Sequence, residues 1–408
     1  MENAFDVLEE RGFVQQASEP DKLKVCLEHP VTLYNGIDAT ARSLHVGHLV
    51  PIMMMSWFQR CGHRPIALVG GGTTLVGDPT GRTSSRPILS EDAIEQNVEA
   101  IRCQLERFLD FDEGHALLLN NVDWLKPLSF VGFMRDIGSR FSVNELLRLE
   151  AYRARLEAGG LSFLEFTYVL MQSYDFLQLF QKYDCVLQIG GSDQWGNSIA
   201  GAGLVRRVTG GEAYVLVSPL LGMQSGVKMG KTTGGALWLD PSMTSPYDYY
   251  QYFRNTADAD VENRLAIFTF LPMGRVRELG GLRDVEVNRA KEILAFEATK
   301  LVHGEVEAQR AQDAARALFG GEGSDEAVPA IEVARSRLAV GIPVTELFKE
   351  AGLVNSANEA RQRIREGGLS VNGERVTDPQ LRLDLSPALG GHLMLSLGRK
   401  RHVRVLVV

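Results

Sequence analysis

An α/β fold is predicted, with a parallel sheet interrupted by a helical insertion and followed by a helical domain and a small α+β C-terminal module. Three features of the 408-residue chain predict it. Short apolar runs of strand length alternate with helix-period stretches at the start, the pattern of βαβ units. From about residue 83 to residue 182 the apolar spacing is helical, with breaks, before another strand-like run appears. Finally, Gly320-Gly321-Glu322-Gly323-Ser324-Asp325-Glu326 reads as a linker to a tail with its own capping and hairpin signals.

Taken in order, residues 31–37 form the first strand of the core, 38–43 a loop, and 44–59 a helix in which Pro51 falls early enough to be accommodated, with a bend. Residues 65–69 are the next strand and run into Gly70-Gly71-Gly72-Thr73-Thr74. Ser90 caps a helix, Glu91 and Asp92 suit its first turn, and Ile94, Val98, Ile101, Leu105 and Phe108 recur at helical spacing. Residues 185–189 return to strand and end in Gly190-Gly191-Ser192-Asp193-Gln194, where open α/β sheets bind ligands. A last run, 213–217, leads to Lys228-Met229-Gly230-Lys231-Thr232. In the tail, Ser356-Ala357-Asn358-Glu359 is a capping box, Gly367-Gly368 a stop, and Asn372-Gly373 a hairpin turn. The expected boundaries are 1–225 for the sheet domain, 226–319 for the lysine loop and helical domain, 320–340 for the linker and 341–408 for the module.

A formal net charge of -8 excludes an overall basic chain, so RNA contact must rest on a local surface. Cys26, Cys61, Cys103 and Cys185 are scattered with no C-x-x-C pair, which points to reduced thiols in a cytoplasmic protein rather than to a disulfide framework or a metal site. The longest apolar stretch, 49–58, is too short to span a bilayer, and the start lacks the basic-then-apolar order of an export signal, so no membrane is expected as a partner.

Two runs carry the chemistry. Leu44-His45-Val46-Gly47-His48-Leu49 puts two imidazoles at i and i+3 near a helix N-terminus, with a glycine between them where a base or ribose can approach the backbone. Lys228 and Lys231 supply two ammonium groups. Tyr168, Gln172 and Asp175 stand at i, i+4 and i+7 on one helix face, and the last two are costly to bury without a ligand or partner. Arg361 and Arg365 share a second helix face. Arg399, Lys400, Arg401 and Arg404 interleave with apolar residues at the end, a pattern that suits either a charged edge strand or phosphate contacts.

The histidine and lysine runs resemble the HIGH and KMSKS signatures of class I aminoacyl-tRNA synthetases, with Val for Ile in the first, and Gly and Thr for the two serines in the second. Residues 34–48, 76–82, 168–175 and 188–197 resemble the bacterial tyrosyl-tRNA synthetases, essentially end to end, and the tail resembles the RNA-binding module named after the fourth small-subunit ribosomal protein. The resemblance implies a Rossmann-like catalytic domain that activates L-tyrosine with ATP and transfers it to the 3′ end of tRNA(Tyr). It implies that Thr40, His45, His48, Lys228 and Lys231 serve the ATP polyphosphate, joined by Arg82 and Arg86, with Mg2+ accompanying ATP. Tyr34 and Asp175 are implied to hold the phenol; Asp78, Tyr168 and Gln172 the ammonium; and Asp38, Gly47, Gly191, Asp193 and Gln194 the adenylate side. The six basic tail residues named above are implied to meet tRNA, and a homodimer is implied. One departure is Asp38-Ala39-Thr40, where the family reads Asp-Pro-Thr.

A tryptophanyl-tRNA synthetase shares both signatures, but an apolar indole pocket does not call for Tyr34 paired with Asp175. A small nucleotidylyltransferase does not need the insertion or the tail. A P-loop NTPase is excluded because Ser225 stands where its first glycine belongs. A catalytically silent RNA-binding relative remains the alternative outside enzymes, against which stand His45, His48, Lys228 and Lys231.

Overall fold

In the computed structural model the described residues are 2–80, 89–220, 231–232, 235–318, 328–384, 392–398 and 401–408. The chain divides into two compact units: Met1–Asp240 with Ala259–Gly281, and Pro241–Asp258 with Leu282–Val408.

The first unit is organised on a sheet of β1 (Gln16–Ala17), β2 (Thr32–Asp38), β3 (Arg64–Gly70), β4 (Leu117–Asn120), β5 (Cys185–Gly191) and β6 (Tyr214–Ser218), in the order β1-β6-β5-β2-β3-β4. Strands β2 to β6 run parallel, and β1 lies antiparallel against β6. The order turns at β2, which has β3 on one side and β5 on the other, so the carboxyl ends of β2 and β5 flank a crevice. Strand β6 is buried along its whole length and β3 at all but its first residue, as expected for strands covered on both faces. Within the stretch read as helical, Leu117–Asn120 is instead the edge strand β4. Four residues of Leu-Leu-Leu-Asn show no alternation, so no period betrayed them.

Two helices carry the crevice side chains. The histidine helix, Val46–Arg60, begins two residues later than its sequence pattern because His45 is its N-cap, and it runs through Pro51. The long helix Phe163–Tyr183 opens on a reciprocal cap: Ser162 Oγ accepts the Glu165 N–H at 3.2 Å, and the Glu165 carboxylate accepts the Ser162 N–H at 3.0 Å. The buried Arg155 guanidinium donates to both oxygens of Glu165, which fixes the start of the helix further.

Residues 261–280 belong to the first unit, not to a separate helical domain as their sequence pattern suggested. The buried Arg11 guanidinium donates to the carbonyls of Ala266, Thr269 and Leu271 at 3.0, 3.3 and 2.7 Å and lies 3.7 Å over the Trp57 ring. One cation thereby satisfies carbonyls at the end of helix Val261–Phe268 that no turn of sequence-local helix could reach.

The second unit holds helices Pro246–Arg254, Val287–His303 and Glu305–Leu318 and a five-stranded sheet. That sheet runs Glu374–Arg375, Leu369–Val371, His392–Leu397, Arg401–Val407, Ala330–Val333, with the last strand parallel to its neighbour. Ala330–Val333 lies inside the span read as linker, so the module's sheet draws on residues ahead of 341. Leu347, Phe348, Ile364, Leu369, Leu395 and Val405 form its core. Ser356 caps helix Ala357–Arg365, but Glu359 returns to the Asn355 N–H rather than to that of Ser356. The turn residues Asn372 and Gly373 have φ of 49° and 84°, the pair of positive values a two-residue hairpin needs.

Candidate active site

The crevice encloses a cavity of about 700 Å3 within the first unit. It brings together Tyr34, Asp38, Thr40, His45, Gly47, His48, Asp78, Tyr168, Gln172, Asp175, Gly191, Asp193 and Gln194, each singled out from sequence. Arg82, Arg86 and Lys228 lie outside the described residues. So does the side chain of Lys231, whose backbone forms β7 (Lys231–Thr232), paired with β8 (Gly235–Ala236).

At one end, Tyr34 from β2 and Asp175 from the long helix are both buried. Asp175 accepts from Asn121 Nδ2 at 2.9 Å and from Trp124 Nε1 at 2.7 Å, one on each carboxylate oxygen. Burial pushes its carboxyl up to about 7, although these two donors pull the other way. The Tyr34 hydroxyl has no hydrogen-bond partner among the described residues, and burial, reinforced by Asp175, holds its pKa well above the usual phenol value. A buried hydroxyl that gives up its hydrogen bonds costs on the order of 1–3 kcal/mol unless something completes them, so this end has room in its bonding for a polar group beyond the described residues. Gln188 Oε1, from β5, is likewise buried without a partner among the described residues.

In the middle, Asp38 at the end of β2 accepts from Tyr168 Oη at 3.0 Å and from Thr73 Oγ1 at 2.8 Å. Tyr168 is thus hydrogen-bonded to Asp38, while Asp78 and Gln172 are the residues grouped with it by resemblance. Those two belong to a separate chain: Gln194 Nε2 donates to Asp78 Oδ2 at 2.8 Å, Gln172 Nε2 to Gln194 Oε1 at 3.4 Å, and Asn197 Nδ2 to Gln172 Oε1 at 3.1 Å. Ala39 has an N–H that donates to Thr74 Oγ1 at 2.8 Å, and its carbonyl accepts from Asn97. A proline there lacks that donor, so this chain ties its loop by a hydrogen bond where the family pattern uses a ring.

At the far end stand the two imidazoles. His45 Nδ1 accepts the Gly47 N–H at 3.1 Å, and His48 Nδ1 accepts the His45 N–H at 3.1 Å, a reciprocal cap made of histidines, with the rings stacked at 3.8 Å between centroids. A Cβ on Gly47 would stand 2.9 Å from His45 Cε1, so the glycine is what lets the ring fold over the turn. Because both Nδ1 atoms accept, each neutral ring carries its proton on Nε2 and presents a donor there. Burial lowers the pKa of His45 and keeps the ring neutral at physiological pH.

Sequence reasoning missed Asn121, Trp124, Thr73 and Asn197. Thr73, Asn121 and Trp124 lie on short segments at the ends of β3 and β4 with partners remote in sequence, Asn197 lies in helix Trp195–Thr209, and only the strand-end position of Thr73, in the glycine run after β3, signalled a ligand. In the tail, Arg401 donates to the carbonyls of Gly352 and Leu353, Arg404 to that of Val328 and Arg361 to Asn358. Arg365 lies on the same helix as Arg361, and Arg399 and Lys400 fall outside the described residues. No group of three or more His, Cys, Asp or Glu side chains is placed to hold a metal ion among the described residues.

Comparison with known proteins bears on the whole chain. Residues 27–320 match the model for tRNA synthetases class I (W and Y), and residues 346–386 match the S4 domain. The Tyrosine--tRNA ligase of Caldanaerobacter subterraneus is 50% identical over 406 residues, and that of Clostridium beijerinckii 49%, each alignment covering 99% of both chains. A C-terminally truncated mitochondrial tyrosyl-tRNA synthetase of Aspergillus nidulans superposes with a TM-score of 0.71 at 32% identity, covering 78% of this chain and 95% of that one. A tryptophanyl-tRNA synthetase of Encephalitozoon cuniculi shares the fold alone, at a TM-score of 0.55 and 15% identity, covering 75% of this chain and 86% of that one. The chain belongs to the tyrosyl-tRNA synthetase family of class I aminoacyl-tRNA synthetases.

Proposed function

We propose that this protein activates L-tyrosine with ATP and transfers it to the 3′ end of tRNA(Tyr). In the first step a tyrosine carboxylate oxygen attacks the α-phosphorus of ATP, the bond to the β-phosphate breaks, and pyrophosphate leaves. In the second, a hydroxyl of the terminal ribose attacks the activated carbonyl and AMP leaves. The nucleophile of the first step is already ionised, so the protein need supply no general base, and catalysis reduces to positioning and charge stabilisation.

The observation that carries the reading is the buried Tyr34 hydroxyl, without a hydrogen-bond partner among the described residues, in the same end of the cavity as the buried Asp175 carboxylate. A phenol completes both: it donates to Asp175 and accepts from Tyr34. An indole N–H can satisfy Asp175 but offers Tyr34 no acceptor, which favours tyrosine over tryptophan. The ammonium then falls to the carboxylate and amide oxygens of Asp78 and Gln172, with Tyr168 close by, and the adenylate to Asp38, Gly191, Asp193 and Gln194. The Nε2–H donors of His45 and His48 suit phosphate, which only accepts. Thr40, Lys228 and Lys231, with Arg82 and Arg86, meet the polyphosphate charge, and magnesium enters as the counter-ion of ATP.

The tail, through Arg361, Arg365, Arg399, Lys400, Arg401 and Arg404, meets the tRNA backbone. Two copies associate, for which the support is the crowding of exposed Phe130, Val131, Val143, Leu156, Phe163 and Leu164 into residues 130–164. A cytoplasmic location accords with four cysteines that are all free thiols and with the absence, among the described residues, of any helix long and apolar enough to cross a membrane. Amino-acid-dependent ATP–pyrophosphate exchange across the twenty amino acids tests the function. Exchange with tyrosine alone is expected; exchange with tryptophan alone, or with none while tRNA still binds, contradicts it.

A further inference from the structure

The segment directly after the lysine hairpin is fastened to the histidine turn. Strand β7 pairs Lys231 with Ala236 of β8, and Leu237 follows at once. The Val46 N–H donates to the Leu237 carbonyl and the Leu239 N–H to the Leu44 carbonyl, both at 2.9 Å, so that Trp238 stands opposite His45 in an antiparallel bridge. Leu44, Val46, Leu237 and Leu239 are all buried, which anchors the pairing in the core. By strand alternation Trp238 faces the other way, into the cavity it helps to line, and its ring meets that of His45 edge-on at 5.9 Å and 62°.

Ser43 locks the end of the bridge. Its buried hydroxyl accepts the Asp240 N–H at 3.0 Å and donates to the Leu44 carbonyl at 2.7 Å, while Gln104 Oε1 accepts the Leu44 N–H at 2.9 Å. The Leu44 and Asp240 N–H groups and the Leu44 carbonyl are thereby held at the end of the crossing.

We propose that Trp238 is a positioning residue for adenylate formation: through the bridge at His45 it holds the imidazole over its turn and sets the register of the lysine hairpin against it. The inference rests on the reading of the cleft as an adenylate-forming site. It explains why a large aromatic ring lines a cavity whose amino-acid end it does not contribute to. The imidazole of His45 thus has two aromatic neighbours, His48 stacked at 3.8 Å and Trp238 edge-on at 5.9 Å, which limit its freedom to turn.

The test separates binding from chemistry in the full-length protein. Tyrosine affinity is measured by equilibrium dialysis, and tyrosyl-adenylate formation by single turnover at saturating ATP. Trp238→Ala is expected to leave the dissociation constant for tyrosine within about twofold and to slow activation by at least about tenfold, since misplacing a reacting group by an ångström costs on the order of 10²-fold. Trp238→Phe, which keeps an aromatic edge against His45, should recover most of the rate. Wild-type activation in Trp238→Ala, or equal losses of affinity and rate in both variants, overturns the proposal. If Trp238→Ala fails to fold, Ser43→Ala decides, since it removes the acceptor of the Asp240 N–H, the donor to the Leu44 carbonyl and the hydroxyl's contact with Gln104, and leaves the indole in place. Slower activation at unchanged tyrosine affinity supports the coupling, and an unchanged rate overturns it. Absence of tyrosine-dependent exchange in the wild type would instead sink the adenylate reading itself.

Discussion

The tyrosine–aspartate end of the cleft and its histidine end are built from different materials. Around Tyr34 and Asp175 the contacts run side chain to side chain between buried groups: Asn121 and Trp124 on Asp175, with Thr73 in turn accepting from Asn121. Around His45 and His48 they run to the backbone, through the N–H groups of His45 and Gly47 and the bridge to residues 237–239. A dry pocket of fixed side chains makes a hydrogen bond expensive to omit, so it can choose between two ligands that differ by one hydroxyl. A helix terminus with donors on neutral rings chooses little but stabilises anionic charge wherever it develops. Lesions at the first end should therefore change which amino acid is used, and lesions at the second how fast.

The largest effect should come from the lysines. Lys228→Ala or Lys231→Ala is expected to slow adenylate formation by roughly 10² to 10³-fold, the cost typical of removing one preorganised charge partner, with tyrosine affinity nearly unchanged. Single-turnover activation at wild-type speed in both variants removes the loop from the mechanism.

Asp175→Ala sharpens the other side. Without the acceptor, the kcat/KM preference for tyrosine over phenylalanine should shrink by about 10 to 100-fold or more, as a buried hydrogen bond to a charged group is worth roughly 1.5–3 kcal/mol. An unchanged preference combined with a lower Tm would show Asp175 to be structural.

A pH dependence follows from the same carboxyl. In the free protein burial raises Asp175 to about 7, whereas a bound phenol donates to the ionised form and draws its pKa down. Tyrosine binding therefore expels a proton below about pH 7, and affinity should fall by up to about tenfold per unit as pH drops below 7, while levelling off above it. Phenylalanine, with no hydroxyl, should bind with a flat profile, so the preference narrows in acid. Calorimetric titrations of both ligands between pH 5.5 and 8.5, in buffers of differing ionisation enthalpy, read this directly.

Much of this division is legible in the chain, for a physical reason. The histidine turn, the face of Tyr168, Gln172 and Asp175, and the Asn372-Gly373 hairpin are local patterns, written in a spacing of a few residues. Asn121 and Trp124 are illegible because they follow a four-residue strand with no alternation and reach Asp175 across more than fifty positions of sequence. Ala330–Val333 reads as linker because a short edge strand flanked by Gly-rich sequence gains its identity only from the partner Arg401–Val407. Tyr168 is grouped correctly by face, yet its partner, Asp38, lies on another element altogether.

The smallest effect concerns the tail, which belongs to the second unit. Arg361→Ala and Arg365→Ala should leave tyrosine-dependent pyrophosphate exchange unchanged, weaken tRNA binding, and flatten the slope of log affinity against log salt by roughly 0.7 to 0.9 for each phosphate that is no longer neutralised. Slopes equal to wild type would favour a solvated helix face over an RNA-binding one.

The central claim is that the two ends act independently, one on identity and one on rate, and a double-mutant cycle of Tyr34→Phe with His45→Asn tests it most directly. Tyr34→Phe removes the hydroxyl alone, which has no partner among the described residues. His45→Asn keeps an acceptor in reach of the Gly47 N–H, and so preserves the cap, but deletes the Nε2–H donor. Tyr34→Phe is predicted to weaken tyrosine binding with little change in the saturated activation rate, His45→Asn to do the reverse, and the double variant to be additive within about 0.5 kcal/mol in both quantities. A coupling well beyond that, or a single variant that moves both quantities equally, would contradict it.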